Sequence, residues 1–266
     1  MRGRAILPLL ALAGCAVPPS GGGGGIVSTN PCADAILVGL VPPERIAAIS
    51  HYSHDPAATS LPIAVARRFR ATAGTAEEVI ALRPSLVLTS SFTPIATRDA
   101  YRRAGLRMLV LGSPTTIAAS KAQVREIAAA AGFAKAAEPI VRRIDGAVRA
   151  AAPISQRRPA ALFYIAGDLA NGSGTLLDEM MGVAGFANAA AFYGLAFTGK
   201  LPAETIVDRP PAIVIAPPGG GRGAALRRTL LSGVPEARFD RTLINCGGPT
   251  IVPALERLAA IRATLG

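Results

Sequence analysis

Short, mostly apolar runs recur along the chain at 26–28, 46–49, 86–88, 108–111, 160–165, 213–215 and 242–245. Runs of this length, bounded by Gly, Pro or polar residues, predict strands buried on both faces. Between them lie segments with helical spacing, at 32–40, 94–104, 116–131, 134–152, 175–183, 224–231 and from Pro249 onward. In the segment 134–152, Ile140, Val141, Ile144 and Val148 fall on one stripe, and Pro153 and Pro159 stop it. Gly132-Phe133 separates it from the helix before. Strands alternating with helices predict parallel sheets with helices on both faces, an α/β fold.

One phrase occurs twice. Glu77-Glu78-Val79-Ile80 is followed by Pro84, Ser85 and the run Leu86-Val87-Leu88; Glu204-Thr205-Ile206-Val207 is followed by Pro211, Ala212 and Ile213-Val214-Ile215. Each copy reads as a helix, a proline stop and a buried strand. Thr75 and Glu78 have the spacing of a capping box, and Pro202 suits the first position of the second helix. The repeat predicts two similar α/β lobes, 26–115 and 154–266, with connecting helices over 116–153 that form a stiff bridge.

The first 25 residues follow a different pattern. A basic start at Arg2 and Arg4 leads into an apolar stretch and then Leu12-Ala13-Gly14-Cys15. This is the order of a secretory signal, and its ending resembles the bacterial lipobox, which makes Cys15 the acylated residue and 1–15 the signal segment. Residues 16–25 are rich in Pro and Gly and end in five consecutive glycines, the composition of a flexible tether. An exported protein held to a membrane by lipid follows. Cys32 and Cys246 remain for the folded part, and an oxidising compartment permits a disulfide between them; two buried thiols are the other reading.

Composition narrows the function classes. Of 266 residues, 50% are hydrophobic, which supports a large core and excludes disorder. The net charge is +11, but the basic residues are scattered in pairs such as Arg67-Arg68 and Arg142-Arg143, and Trp is absent. A nucleic-acid groove with stacking platforms is therefore not expected, while an anionic membrane surface or acidic ligand remains compatible.

The opening Ile26 to Asp34, both copies of the repeated phrase and the segment Gly172-Ser173-Gly174-Thr175-Leu176-Leu177-Asp178-Glu179-Met180, taken in order, resemble the Fe3+-siderophore and cobalamin periplasmic-binding family. The resemblance implies two α/β lobes joined by a long α-helix, with the ligand in the cleft between them. It implies a monomeric, non-enzymatic solute-binding component of an ABC importer that carries no cofactor of its own. It delivers an iron-siderophore or a corrinoid to permease and ATPase subunits. It also implies that Glu77 and Glu204 dock to arginines of the permease. In such a fold the cleft is lined by loops at the carboxyl ends of strands. On that basis the expected ligand-binding residues are Asn30, His51, Tyr52, His54, Ser91, Phe92, Tyr164, Phe192 and Cys246.

Two other chemistries have candidate residues in the chain. His51, His54 and Asp55 lie close enough in sequence to ligate a transition metal directly, or to serve a haem-binding protein. Gly219, Gly221 and Ala224 fit a dinucleotide fingerprint of a nucleotide-dependent enzyme, but two prolines interrupt the turn, and a loop at the cleft edge is the preferred reading. No phosphate-loop, nucleophile-elbow or zinc-protease motif is present in the sequence.

Overall fold

The structure, a computed structural model, describes residues 24–266. The signal segment, Cys15 and all but the last residues of the tether lie outside the described residues.

The apolar runs of the first half become a five-stranded parallel sheet. In chain order its elements are β1 (Gly24–Ser28), α1 (Pro31–Leu40), β2 (Ile46–Ser50), α2 (Ile63–Ala66), β3 (Ala71–Thr72), α3 (Ala76–Ala81), β4 (Pro84–Ser90), α4 (Ile95–Arg103) and β5 (Met108–Leu111). The strand order is β3-β2-β1-β4-β5. Local chemistry sets the boundaries. Asn30 caps α1 by accepting from the amides of Cys32 and Ala33, and Thr75 caps α3 by accepting from Glu78.

Two 15-residue helices follow, α5 (Ile117–Ala131) and α6 (Ala137–Ala151). Thr116 caps α5, and Gly132, with φ 84°, ends it in the left-handed conformation that glycine adopts without strain. The second half comprises β6 (Ala160–Ala166), β7 (Leu169–Asn171), α7 (Leu176–Val183), β8 (Ala187–Asn188), α8 (Ala189–Phe192), β9 (Thr198–Lys200), α9 (Ala203–Asp208), β10 (Ile213–Ala216), α10 (Arg222–Leu230), β11 (Glu236–Arg238) and α11 (Ile251–Ala263). Its sheet has the order β11-β10-β6-β7-β9, with β8 beside β6.

Three sequence expectations change here. The second sheet is mixed, because β7 runs antiparallel to both β6 and β9. Gly167, at φ 49°, supplies the tight turn from β6 into β7. The run 242–245 is not a strand: Arg241–Leu243 forms a 3-10 turn, and the edge strand is the polar Glu236–Arg238 just before it. Pro202 caps α9 from outside rather than opening it.

The two sheets share one apolar cluster. It runs from Ile26 and Leu88 through Val124 and Ile127 of α5 and Ile140 and Ile144 of α6 to Leu255 and Leu258 of α11 and Phe163 of β6. A second seam joins α1 to the segment after the 3-10 turn. Cys32 and Cys246 form a disulfide, with Cα atoms 5.1 Å apart, which settles the choice between cystine and free thiols. Beside it Asn245 donates to the Ala58 carbonyl at 3.1 Å, and the Gly248 amide donates to Ser120 Oγ at 2.7 Å. A side chain at Gly248 would press its Cβ to 2.6 Å from Ile36 Cγ1, so α1 and this turn approach as closely as backbone allows.

Asp34 on α1 is fully buried. Its Oδ2 accepts from the Ser50 amide at 2.9 Å and the Ser53 hydroxyl at 2.6 Å, which pins the His51–His54 turn to the helix. Its Oδ1 has no hydrogen-bond partner. Burial pushes the carboxyl up to about 7, and the bonds from Ser53 and Ser50 offset only part of that. A folded pKa above the unfolded one means the native state binds the extra proton, so stability is lost as pH rises. The stability of Asp34→Asn relative to the native protein should therefore increase as pH is raised from 3.8 to about 7. Thermal midpoints of both proteins across that range measure this, and a constant difference would show that Asp34 does not titrate there.

Candidate functional site

The carboxyl ends of the first sheet face β7, α7 and the turn before β9 across a cleft of about 830 Å³. Thr29, Asn30, Tyr52 and Phe92 line one side, and Asn171, Thr175 and Phe197 the other. The cystine Cys32–Cys246, with Asn245 and Gly247, forms part of the wall where the two sides meet. Among the described residues, none that lines the cleft is Asp, Glu, Lys, Arg or His. The wall offers hydroxyls and amides, such as Thr93, Ser113, Gln123 and Asn245, together with aromatic rings. In a protein with a net charge of +11, this leaves the cleft as a neutral surface within a basic one.

The rings are presented rather than packed away. Tyr52 is 51% exposed, Phe92 81% and Phe197 64%. Phe197 adopts φ 57°, a left-handed conformation that costs a side-chain-bearing residue roughly 1–2 kcal/mol. Two backbone bonds hold it there: its amide donates to the Ser173 carbonyl at 2.7 Å, and the Gly172 amide donates to its carbonyl at 2.5 Å. The strain is met at a position that aims an aromatic ring into the cleft.

Of the residues expected from sequence, Asn30, Tyr52, Phe92 and Cys246 come together on this wall. His51 stands behind it. Its Nδ1 lies 3.2 Å from the Thr72 carbonyl, and its ring sits 4.1 Å from that of Tyr52, which it buttresses. His54 is tied through Nε2 to the Ala66 carbonyl at 3.0 Å, and Asp55 accepts from the Ala57 amide. Among the described residues no group of three or more His, Cys, Asp or Glu is placed to hold a metal ion. Ser91 is exposed next to the lining residues Ser90 and Phe92. Tyr164 lies elsewhere, 5% exposed in the second sheet's outer core, with the Arg227 guanidinium 4.9 Å from its ring centre. Burial raises its phenol above the usual tyrosine range. Phe192, at the end of α8, is exposed but does not line the cleft.

Sequence reasoning offered Phe197 only as one of several rings of the 192–197 loop, and it missed Gln123, Asn171 and Asn245 as lining residues. Pro217, Pro218 and Gly219, which follow the carboxyl end of β10, border a second cavity of about 560 Å³ together with α10 and Arg238. Glu77 and Glu204 occupy equivalent places, each exposed in the first turn of its helix, α3 or α9. Neither joins an ion pair among the described residues, whereas the neighbouring Glu78 is held below its ordinary pKa by the Thr72 hydroxyl and the Ala73 amide.

The model of one family, described as periplasmic binding protein, matches residues 26–225. No curated protein matches the sequence. Among solved structures, the periplasmic heme-binding protein RhuT from Roseiflexus sp. RS-1 in apo form is 21% identical, with a TM-score of 0.72 over 90% of this chain and 97% of that one. The periplasmic heme-binding protein HutB of Vibrio cholerae gives 17%, 0.74, 91% and 98%. The periplasmic vitamin B12 binding protein BtuF of Vibrio cholerae gives 15%, 0.70, 91% and 97%. At these identities the structural likeness speaks for the fold, and the family match covers both sides of the cleft. This chain belongs to the periplasmic binding protein family.

Proposed function

We propose that this protein is the extracytoplasmic solute-binding component of an ABC importer. It captures a bulky, uncharged metal chelate between its lobes, an iron-siderophore of the neutral hydroxamate type or a corrinoid, and delivers it to the permease. The observation that carries this reading is the absence, among the described residues, of any ionisable acid or base other than Tyr52 from the cleft wall. A ligand bearing several negative charges would be desolvated there without a partner, at a cost of several kcal/mol. A chelate whose rim carries amides and hydroxyls finds complementary groups at Thr29, Gln123, Asn171 and Asn245, and its faces find Tyr52, Phe92 and Phe197. A volume of about 830 Å³ suits a ligand of that size.

Haem is the second reading, favoured by the exposed phenol of Tyr52 as an axial donor and by the heme-binding proteins among the structural neighbours. Its two carboxylates, however, would meet no cation on the wall. Absorbance and fluorescence titrations with a ferric trihydroxamate, cobalamin, a ferric tricatecholate and haem separate the cases. Binding of a neutral chelate and rejection of the trianionic catecholate is the expected result; tight catecholate binding alone would overturn it. Replacing Tyr52 and Phe92 together by Ala should weaken the bound chelate by roughly 1–3 kcal/mol, through lost ring contacts.

Glu77 and Glu204 are the carboxylates we assign to permease docking, since each lobe presents one, exposed and unpaired. Reversing both to Arg should leave ligand affinity of the purified protein unchanged and abolish transport in reconstituted vesicles, because like charges then face the permease. Full transport by the double variant would reduce them to first-turn charges that favour their helices. Cys15 is the residue we assign to acylation. Cys15→Ser should leave the protein unprocessed or release it from membranes, and normal membrane retention of that variant would remove the anchor from the reading.

A further inference from the structure

In a parallel sheet all strands begin on one side, here the side opposite the cleft. Arg45 stands immediately before β2, Arg83 before β4 and Arg107 before β5. α4 returns to the same side and ends at Arg103, and Lys135 lies in the 3-10 turn Ala134–Ala136 that follows α5. Two contacts tie these positions together. The Arg45 guanidinium sits 5.9 Å from the centre of the Phe133 ring, and Arg107 donates to the Ala130 carbonyl at 2.9 Å, so both lie at the end of α5. All five cations are exposed, and none pairs with a carboxylate among the described residues. Glu44 stands next to Arg45, while Asp99 and Glu138 are taken up by Arg102 and Arg125.

The chain enters the fold through this cluster. A side chain at Gly24 would collide with the Arg83 carbonyl, and one at Gly25 with that of Arg45, so β1 threads between the two arginines. Arg83 itself has φ 45°, a position where glycine would be unstrained, and yet it keeps a long cationic side chain there. Glu77, Glu204 and the cleft lie at the other end of the strands.

We propose that the basic rim formed by Arg45, Arg83, Arg103, Arg107 and Lys135 docks to the anionic headgroups of the membrane to which the protein is tethered, holding the undocked protein with its cleft turned outward. This rests on the reading above that the protein works at a membrane surface. Attachment at Gly24 brings the rim, not the cleft, to the bilayer. Each cation near an anionic surface strengthens attachment roughly fivefold, and salt screens it. Rim and docking carboxylates sit at opposite ends of the strands, so the surface-bound and permease-bound orientations exclude each other. Release from the lipid surface thus becomes a step in delivery.

The test uses the chain from residue 16 onward, so that neither an acyl chain nor the apolar signal segment contributes, and sedimentation with two kinds of vesicle: phosphatidylcholine alone, and equal parts phosphatidylcholine and phosphatidylglycerol. The rim variant is Arg83→Asn, Arg103→Ser and Lys135→Ser, three positions without a side-chain partner; the control is Arg142→Ser, Arg143→Ser and Arg149→Ser on α6. Expected is preferential binding to the anionic vesicles, lost on adding salt, weakened about tenfold or more in the rim variant and kept in the control. Equal weakening in both variants would show that net charge alone is responsible, and unchanged binding of the rim variant would place the contact elsewhere; either overturns the proposal. Unaltered thermal midpoints and chelate titrations confirm that the rim variant is folded. The anchor is judged separately by whether the chain with Cys15 intact, processed in cells, partitions into the neutral vesicles. Failure there removes the tether and leaves the rim result standing.

Discussion

The seam between α1 and the segment 245–250 is the constraint on which the cleft depends. Cys32 and Cys246 are 214 residues apart in the chain, and their bond ties the two halves at a point well away from the connecting helices. Restricting so long a loop in the unfolded chain is worth about 5 kcal/mol in the chain-entropy account. Its effect on the folded state is geometric. Lobes joined only by helices can rock about them, whereas lobes also joined at the cleft wall can open only about a line through both attachments. Gly248 against Ile36 and the Ser120 hydroxyl under the Gly248 amide make that seam close-packed as well as covalent. A cleft so held is largely preformed, which favours a rigid, bulky ligand over one that must be enclosed by a large closure.

Charge is sorted around this frame with some consistency. Cations crowd the amino ends of the first sheet, acids stand at the first turns of α3 and α9, and the cleft between has neither. The buried Arg227 holds Glu236 at 2.9 Å and the Gly167 carbonyl at 3.1 Å and covers the Tyr164 ring. A buried cation so partnered braces β6 against β11 and is not available to a ligand. The neutral wall is thus not a consequence of scarce charge. It is a local exclusion in a chain with 28 basic residues.

The fold was readable where physics leaves a one-dimensional trace. Parallel strands buried on both faces give unbroken apolar runs, and the repeated helix–proline–strand phrase marked corresponding places in both halves. Short edge elements leave no such trace. Glu236–Arg238 is polar because one side of it meets solvent, and β7 and β9 are three-residue strands whose pairing depends on the turn at Gly167. The lining of the candidate cleft was readable at Tyr52 and Phe92, which follow the ends of strands. It was misread at Tyr164, because a strand with apolar residues throughout does not reveal which face points where. Leu162 and Tyr164 enter the outer core, while Phe163 joins the central one and Ile165 reaches the cleft. The cystine could be allowed by sequence but not chosen, since partners so distant meet only through the whole fold.

α1 draws these features onto one element. Its cap residue Asn30 and its first turn, with Cys32, face the cleft; Asp34, two residues on, reaches back to hold the turn that presents Tyr52 and His51; Ile36, half a turn further, receives Gly248. The spacing follows from helix geometry. Residues 32 and 36 share a face, the one turned to the second lobe, while residue 34 points to the opposite side, toward β2. The turn that presents Tyr52 is therefore fixed to the same helix that carries the cystine. The carboxyl of Asp34 sits between the half-cystine and that turn with one oxygen unbonded. Burying a half-satisfied acid there costs stability. The cost is understandable if the turn it fixes must keep a ring half out in solvent, where no packing of its own would hold it.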